Sequence, residues 1–453
     1  MSDYNFLMES RLSPEQFQVL RHLARIAHSQ GMNLYLVGGA VRDLTYGQQV
    51  IRDLDFAVEG DPQKILRHLD GKARSGEPAP ASIAHFCWGA KLSSGEVSFT
   101  NGVRAEIAMT RHEVYAKPGR RPEILPAAIF EDLKRRDFSV NAMAVSLHPN
   151  SRGLLLDPTN GAADIEKHEL RALHSRSFLE DPTRIYRLLR LGLRLDFKPE
   201  ERTKTWAEAA LEKRATDRLE PEQQGRELRA ILQEENPGRV LKLLAGRGLL
   251  AGLDRKLASA KLPYDQFGKI RSVVHTVPGA DAFFLNFHCL VAKRGSGQKN
   301  RLAKKIIADR KTIKVALGLE SAARKLARML ANSKAALPSQ VYTLLSGQPQ
   351  PLLLFLLVNY PQANIQGLVK SFLFKYPLVR AKLPRAELLT LGLEPGPKFD
   401  KIMHQLFLEE LDGKIKAPQQ LLKEFRALAG LREPPAKPHA AKPAHPGKKR
   451  KAR

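Results

Sequence analysis

The sequence predicts an α+β fold in which a mixed N-terminal region is followed by a long region of helices alone. Up to about residue 145, helical patterns alternate with short apolar segments that are typical of strands. From Asp164 to Leu428, strand patterns almost disappear, and Leu, Ala, Arg and Lys recur at helical spacing. The chain has 453 residues, of which 43% are hydrophobic. This length and composition suffice for two to four domains with a sizeable core.

The N-terminal elements follow from local signals. Ser13 can cap a helix that begins at Pro14, because Gln16 can bond back to the cap residue, and Gly31 ends this helix. An apolar strand is predicted at 33–37, and the Gly38-Gly39 pair then turns the chain into a second helix. Further strands are predicted at 53–58, at 87–92 and within 96–109.

The charge indicates a polyanionic partner. The formal net charge is +27, which is typical of proteins that bind nucleic acid or an anionic membrane surface. No run of about 18 apolar residues predicts a membrane span, and residues 1–12 lack the pattern of a signal peptide. Cys87 and Cys289 lie far apart, which fits a reducing compartment. We therefore expect a cytoplasmic protein with no membrane contact and no stable protein partner.

The first candidate site is the segment from Leu36 to Asp43. Gly38 and Gly39 lie between a predicted strand and a predicted helix. Glycines at this position let the backbone approach a phosphate, and the first N–H groups of the helix can bind it. A plain turn would have the same sequence, so this segment alone does not establish a site.

The second candidate is the pair Asp53 and Asp55. Residues two apart on a strand face the same side, so their carboxylates lie close together and need a cation. Hard oxygen ligands at this spacing suit Mg²⁺, with triphosphate oxygens completing the octahedron. The alternative is an ordinary solvent-facing strand.

Two further segments carry polar residues suited to a nucleotide. In the first, Arg136 can bind phosphate, whereas Asp137 and Asn141 can bond ribose hydroxyls. The alternative is an exposed helix start that Asp137 caps. In the second, three arginines repeat along one helix face, and like charges so placed require anions, such as a triphosphate or RNA: Arg184, Arg187 and Arg190. The alternative is a solvated basic face.

Together these segments resemble the class II tRNA nucleotidyltransferase and bacterial poly(A) polymerase family of the polymerase-β-like superfamily. The similar stretches are LVGGAVRD (36–43), RDLDFAVEGD (52–61), RRDFSVNAMA (135–144), LLDPTNGAADI (155–165), LEDPTRIYRLLRLGLRLDF (179–197), RLEPEQQGRELRAILQEENP (218–237) and LGLEPGPKFDKI (391–402). The segment after Arg218 departs from the family, which often has a Ser-Gly-Glu-Arg-like run there, and this leaves the support of the base pocket open.

The resemblance implies a domain order and a set of residue roles. It implies a nucleotidyltransferase head at 1–147, a neck at 148–216, a helical body at 217–300 and a tRNA-binding helical tail at 301–431. Residues 432–453 are rich in Pro, Ala, Lys and His and are predicted to form a disordered basic tail. The implied metal ligands are Asp53 and Asp55, with Glu106 as the third acidic position. The implied nucleotide-binding residues are Gly38, Gly39, Arg42, Arg136, Asp137, Asn141, Asp181, Arg184, Arg187 and Arg190.

The resemblance implies a Mg²⁺-dependent enzyme that adds CCA, CC or A to tRNA 3′ ends from CTP and ATP. The main alternative is a poly(A) polymerase, although the region 85–92 lacks the Gly-(Arg/Lys)-(Arg/Lys)-Phe signature of those enzymes. An RNA-binding protein without catalysis would have no use for paired acids. A ribosomal or membrane-surface basic protein would explain the charge but not the motifs of the first segments.

Overall fold

The structure is a computed structural model that describes residues 3–69, 83–89, 93–116, 119, 122–259, 261–332, 337–391, 394–415 and 417–431. The chain divides into two compact units, Met1–Arg271 with Ala282–Leu317 and Ser272–Asp281 with Gly318–Arg453. The finer division into head, neck, body and tail stays a prediction. The predicted basic tail at 432–453 lies outside the described residues.

The first unit contains a mixed sheet, which has seven strands in the described part of the chain. The strands of this unit are β1 Asn33–Val37, β2 Leu54–Glu59, β3 Ile83–Gly89, β4 Ser94–Phe99, β5 Arg104–Met109, β6 Arg111–Val114, β7 Glu123–Pro126, β8 Ala144–Ser146, β9 Leu155–Leu156, β10 Glu169–Leu170 and β11 Lys198–Pro199. The sheet order is β3-β4-β5-β2-β1-β8-β9, and β2 with β5 is its parallel pair. The strands β6 with β7 and β10 with β11 form two small separate pairs.

The central strands are apolar because both faces of the sheet are covered. Four of the five residues of β1 are buried. On one face, Tyr35, Val37, Ala57 and Ala144 pack with Ile129 and Leu133 of the helix α5 Ile129–Lys134. This packing fixes the C-terminal end of β1 and the start of β2, where the polar motifs lie.

The helices that begin in the first unit occur before, between and after its strands in the sequence. They are α1 Tyr4–Arg11, α2 Pro14–Ser29, α3 Gly39–Tyr46, α4 Pro62–Leu69, α5, α6 Gly161–Glu166, α7 Ser177–Glu180, α8 Thr183–Leu195, α9 Glu201–Glu212, α10 Pro221–Leu232, α11 Pro237–Gly246, α12 Leu250–Leu253, α13 Arg255–Ala258, α14 Tyr264–His275, α15 Phe283–Val291, α16 Ser296–Ile306 and α17 Arg310–Asn332. Short 3₁₀ helices occur at Ser139–Asn141, Pro149–Ser151 and Ala215–Arg218. The predicted capping box of α2 is present, with Ser13 and Gln16 as its two members.

In the described residues of the second unit, the elements of regular secondary structure are helices. After α17 come α18 Pro338–Ser346, α19 Gln350–Asn359, α20 Ala363–Lys370, a π-helical turn at Ser371–Lys375, α21 Tyr376–Lys382, α22 Arg385–Leu389, α23 Pro397–Leu411 and α24 Pro418–Ala429. Its core packs Phe399, Leu406 and Phe407 of α23 against Phe425 of α24. Among the described helices, none is long and apolar enough by itself to cross a membrane, and α18 with α19, bent by 115°, meets the length and composition test only as a pair.

The predicted strands are confirmed with shifted ends. The strand predicted at 53–58 begins one residue later, so Asp53 lies just before β2. The segment 96–109 forms two strands, because the chain turns at Asn101-Gly102, where Gly102 has a φ of +88°. The strand predicted at 87–92 begins earlier and ends at Gly89, and residues 90–92 lie outside the described residues.

Candidate active site

All thirteen residues predicted for the site line one cavity of about 1130 Å³ in the first unit. The cavity walls come from the ends of β1, β2 and β5, from the segment after α5, and from α8. This volume lies at the upper end of the range for ligand pockets, so it has room for a nucleotide. Residues distant in sequence are therefore brought together as the motifs predicted.

Gly38 is required by the geometry of the turn between β1 and α3. Its φ is +68°, which favours glycine. A Cβ atom at this position would lie 3.0 Å from Nη1 of Arg136 and 3.5 Å from Oδ2 of Asp55. The turn thus brings backbone without a side chain next to a guanidinium and a carboxylate. A turn that only reversed the chain would not need this close approach.

Three carboxylates form an acidic wall of the cavity: Asp53, Asp55 and Glu106. Asp55 on β2 is directly opposite Glu106 on β5 in the parallel register. Burial, followed by the negative charges of Glu106 and Asp53, raises the pKa of Asp55 to about 7, although Arg136 and Arg42 act in the opposite direction. Asp55 is therefore buried beside two carboxylates of like charge.

The acidic wall fits a divalent cation, provided that a further ligand is supplied. Its oxygen donors are of the type that Mg²⁺ prefers. The guanidinium of Arg104 already contacts Asp53, with 2.9 Å between Nε and Oδ1. Within the described residues, no three His, Cys, Asp or Glu side chains are arranged to hold a metal by themselves. Oxygens from a bound triphosphate would have to complete the coordination.

The Asp137 carboxylate lies in a buried hydrogen-bond network rather than at an exposed helix start. It is 5% exposed and accepts hydrogen bonds from the backbone N–H of Phe138 and from Nδ2 of Asn141. Asn141 in turn accepts from Nη1 of Arg42 at 2.6 Å. Burial alone would raise the pKa of Asp137, but Arg187 at 2.8 Å and Asn141 hold it below its ordinary value. The exposed-cap alternative is therefore wrong.

The arginines of α8 form an arginine wall, which we define as Arg184, Arg187 and Arg190. From the sequence we expected external anions to offset these three charges, but carboxylates of the protein already do so in part. Arg187 pairs with Asp137, and Arg190 pairs with Glu234 at 2.8 Å. Since each pair fixes a guanidinium, the wall is held in place before any ligand binds.

Arg184 and Asp181 both line the cavity and stand three residues apart in the chain. Arg184 is 5% exposed and donates from Nη1 to Oγ of Ser177 and from Nη2 to the carbonyl of Arg135. Oδ1 of Asp181 accepts from the N–H and hydroxyl of Thr183, whereas its Oδ2 lies 3.9 Å from Nε of Arg184. One edge therefore offers donors and the other an acceptor.

Several other polar residues line the same cavity, and no role was assigned to them from the sequence: Arg52, Arg111, Glu113, Tyr115, Arg135, Arg194, Glu222, Gln223 and Arg226. Two patterns could have indicated some of them. Arg111, Glu113 and Tyr115 alternate as residues on one face of a strand do. Arg194 follows Arg190 by one helical turn.

Comparison with known proteins identifies the family. A family model described as "Poly A polymerase head domain" matches residues 34–171. An A-adding tRNA nucleotidyltransferase of Halalkalibacterium halodurans is 30% identical over 94% of this chain and 96% of its own length. The chain belongs to the tRNA nucleotidyltransferase family. The resemblance that the motifs predicted is thereby confirmed.

Two further members of the tRNA nucleotidyltransferase family show how much of this chain the similarity covers. A CC-adding tRNA nucleotidyltransferase of Deinococcus radiodurans is 36% identical over 54% of this chain and 62% of its own length. A CCA-adding enzyme solved in its apo form II is 28% identical, with a TM-score of 0.50 over 95% of this chain and 99% of that one. The α+β fold is thereby confirmed. Nucleotidyltransferases of this family generally use a divalent metal.

Proposed function

We propose that the protein adds CCA, or the part of it that includes the terminal A, to tRNA 3′ ends from CTP and ATP, with release of pyrophosphate. The observation that carries the proposal is the single cavity that the acidic and arginine walls share. The terminal A is included because the relative that matches almost from end to end is named A-adding. No template is needed if the cavity itself selects the base.

We propose that Asp53 and Asp55 hold Mg²⁺, with Glu106 beside them. Support comes from the three carboxylates that this wall brings together and from their hard oxygen donors. When bound, such ions lower the pKa of the attacking 3′ hydroxyl and neutralise charge on the leaving pyrophosphate. Asp53 must then exchange its contact with Arg104 for the cation.

The remaining roles concern the incoming nucleotide. We propose that the backbone at Gly38 and Gly39 binds the triphosphate together with the side chains of Arg42 and Arg136, since all four line the cavity. Asp137 and Asn141 are proposed to bond the ribose hydroxyls. Arg187 and Arg190 are proposed to contribute to triphosphate binding while they remain paired with Asp137 and Glu234.

Asp181 and Arg184 are proposed to read the base. Cytosine and adenine each combine an exocyclic amine with an acceptor nitrogen, which matches the N–H groups of Arg184 and the Oδ2 of Asp181, whose contact with Arg184 is long at 3.9 Å. Uracil and guanine present a carbonyl where the amine should be, so they leave buried polar groups unpaired. Hydrogen bonding rather than pocket volume then decides which nucleotide is used.

Other parts of the prediction remain proposals as well. The four-domain division at 147, 216 and 300 and the tRNA-binding role of 301–431 are proposed from the resemblance. We also propose a cytoplasmic location, which the unpaired Cys87 and Cys289 fit.

The proposal is tested with tRNA transcripts that end before CCA, after C and after CC, together with an unstructured RNA as control. Each substrate is incubated with Mg²⁺ and one labelled nucleotide at a time. We expect AMP to be added once to the transcript that ends in CC, and no growth of the unstructured RNA. Addition of CMP to the shorter transcripts distinguishes complete CCA synthesis from addition of A alone.

Two results would contradict this function. Addition of CMP alone would mean that the terminal A is added by another enzyme. Long poly(A) on the unstructured RNA, without incorporation of CMP, would instead support the poly(A) polymerase alternative.

A further inference from the structure

The carboxylate of Asp132 is a hub of hydrogen bonds behind the cavity, and no role in the site has been assigned to it above. Asp132 lies on α5 and is 1% exposed. Its Oδ1 accepts from the backbone N–H of Arg111 at 3.1 Å and from Nε and Nη2 of Arg135 at 3.0 and 2.6 Å. Its Oδ2 accepts from Nε and Nη2 of Arg136 at 3.2 and 2.9 Å. One buried carboxylate thus orients two successive guanidinium groups.

The first of these connections leads to the proposed triphosphate site. Because Asp132 engages Nε and Nη2 of Arg136, the remaining amino group, Nη1, is directed to the turn at Gly38. This places positive charge beside Asp55, where it opposes the rise in the pKa of that carboxyl group. The planar guanidinium cannot rotate away while both of its bonds to Asp132 persist.

The second connection leads to the proposed base-reading pair. The carbonyl of Arg135 accepts the 2.7 Å hydrogen bond from Nη2 of Arg184. The side chain of Arg135 is anchored by Asp132 and also donates from Nη1 to Oε1 of Glu113 at 2.8 Å. Glu113 in turn accepts from the hydroxyl of Tyr115 at 3.0 Å. The residue that supports Arg184 is therefore held from two sides.

We propose that Asp132 is a positioning residue that fixes Arg136 for phosphate binding and, through Arg135, fixes Arg184 for base selection. The inference rests on the proposed function, because it assigns these two arginines their roles. Asp132 does not line the cavity, so it acts through its neighbours and not by contact with the nucleotide. Its charge is kept at neutral pH: burial alone would raise the pKa of Asp132, but Arg136 and Arg135 hold it below its ordinary value.

A purely stabilising ion pair is the alternative, and the same unit offers a matched control. Asp254 is 4% exposed, accepts from Nη1 and Nη2 of Arg301 at 2.6 and 3.2 Å and does not line the cavity. Either aspartate changed to asparagine presents an amide N–H₂ to a group that needs an acceptor. Asp132→Asn and Asp254→Asn therefore each alter a buried carboxylate that is paired with arginine, but only the former adjoins the site.

The experiment compares both variants with the unaltered protein. It measures kcat and KM for ATP, the ratio of kcat/KM for ATP to that for UTP and GTP, the tRNA affinity and the melting temperature. For Asp132→Asn we expect KM for ATP to rise roughly tenfold and the selectivity ratio to fall severalfold, since hydrogen bonds to charged groups are altered. For Asp254→Asn we expect a lower melting temperature with KM and selectivity unchanged. For Asp132→Asn the tRNA affinity should stay unchanged.

The inference is overturned if Asp132→Asn leaves KM and selectivity unchanged, or if Asp254→Asn changes them equally. If Asp132→Asn does not fold, Glu113→Gln replaces it, because Glu113 supports Arg135 from the other side, in addition to its contacts with Arg111 and Tyr115. A smaller shift of selectivity in the same direction supports the inference, and unchanged selectivity overturns it. Failure of the proposed function is distinguishable, because the unaltered protein would then add no AMP, whereas ATP affinity measured by equilibrium dialysis still tests Asp132.

Discussion

The acidic wall and the arginine wall line the same cavity, but their charges are balanced in different ways. At the acidic wall, Asp55 faces Glu106 with like charge, and Asp53 forms an ion pair with the half-exposed Arg104. At the arginine wall, Arg187 and Arg190 each have a buried carboxylate partner. The acidic wall therefore needs a cation from outside, whereas the arginine wall is assembled by folding itself.

This difference implies that the acidic wall serves the chemical step, whereas the arginine wall serves the choice of nucleotide. A substitution at the acidic wall removes a ligand of the cation, so it should lower the rate of nucleotide transfer without a large loss of stability. A substitution at the arginine wall leaves a buried partner without its counter-charge, so it should change stability or nucleotide choice. The predictions below test this contrast.

The largest effect is expected for Asp55→Asn. Loss of one metal ligand should remove about 4 kcal/mol of transition-state stabilisation, which is roughly a thousandfold in rate. The tRNA affinity should stay the same, because the change does not alter the basic surface. The measurement is single-turnover AMP addition beside equilibrium tRNA binding. Substantial turnover at ordinary Mg²⁺ would show that the metal is held elsewhere.

A large loss of stability is expected for Glu234→Gln. This carboxylate is 6% exposed and offsets Arg190 at 2.8 Å and Arg194 at 3.6 Å. We expect the free energy of unfolding to fall by about 2–3 kcal/mol, as measured in urea. The neighbouring Glu235→Gln is the control, since its pair with Arg271 is half-exposed and should contribute less than about 1 kcal/mol. Equal effects of the two changes would contradict a preassembled arginine wall.

A moderate effect on selectivity is expected for Asp181→Ala. Discrimination against UTP and GTP should relax by at least a factor of about ten, equivalent to ~1.4 kcal/mol. Because Oδ1 of Asp181 also accepts from Thr183 at the start of α8, Asp181→Asn serves as a control that can keep this contact. Competition between the four nucleotides on tRNA without CCA measures the ratio. Equal loss for all four would mean that Asp181 only supports the helix.

The smallest effect is expected at α16, in the region predicted to bind tRNA. Lys304 and Lys305 both lie in the region 301–431 that was predicted to bind tRNA, but they differ in the structure. Lys304 is exposed, whereas Lys305 donates to Oε1 of Gln224 and to the carbonyl of Leu253. Lys304→Ala should lower the salt slope of tRNA binding by about one unit without a change in stability. Lys305→Ala should lower stability instead, and an unchanged slope for Lys304→Ala would remove α16 from the tRNA surface.

The parts of the site that sequence could predict are those in which local pattern and chemistry coincide. The Ser13 capping box, the turn at Gly38 and the acids of β2 each lie in a short segment whose signals agree. The pairing of Asp55 with Glu106 depends on the register of two strands that α4, β3 and β4 separate in the chain, and only the family resemblance indicated Glu106.

The neutralisation of the arginines could not be read from the sequence. Glu234 is separated from Arg190 in the sequence by several helices, and no sequence periodicity connects the two residues. The same holds for Asp132, whose pattern is that of any acid in the first turn of a helix. Burial decides such roles, and burial follows from tertiary packing that local patterns do not specify.

The most direct test of the separation between chemistry and base selection is one experiment on three proteins. Single-nucleotide incorporation from each of the four triphosphates is measured with the unaltered protein, Asp55→Asn and Asp181→Ala, with enzyme in excess over tRNA. The account predicts that Asp55→Asn lowers all four rates by a similar factor and leaves their ratios intact. It predicts that Asp181→Ala changes the ratios in favour of UTP and GTP with a much smaller loss of rate for ATP. Altered ratios for Asp55→Asn, or unaltered ratios for Asp181→Ala, would contradict it.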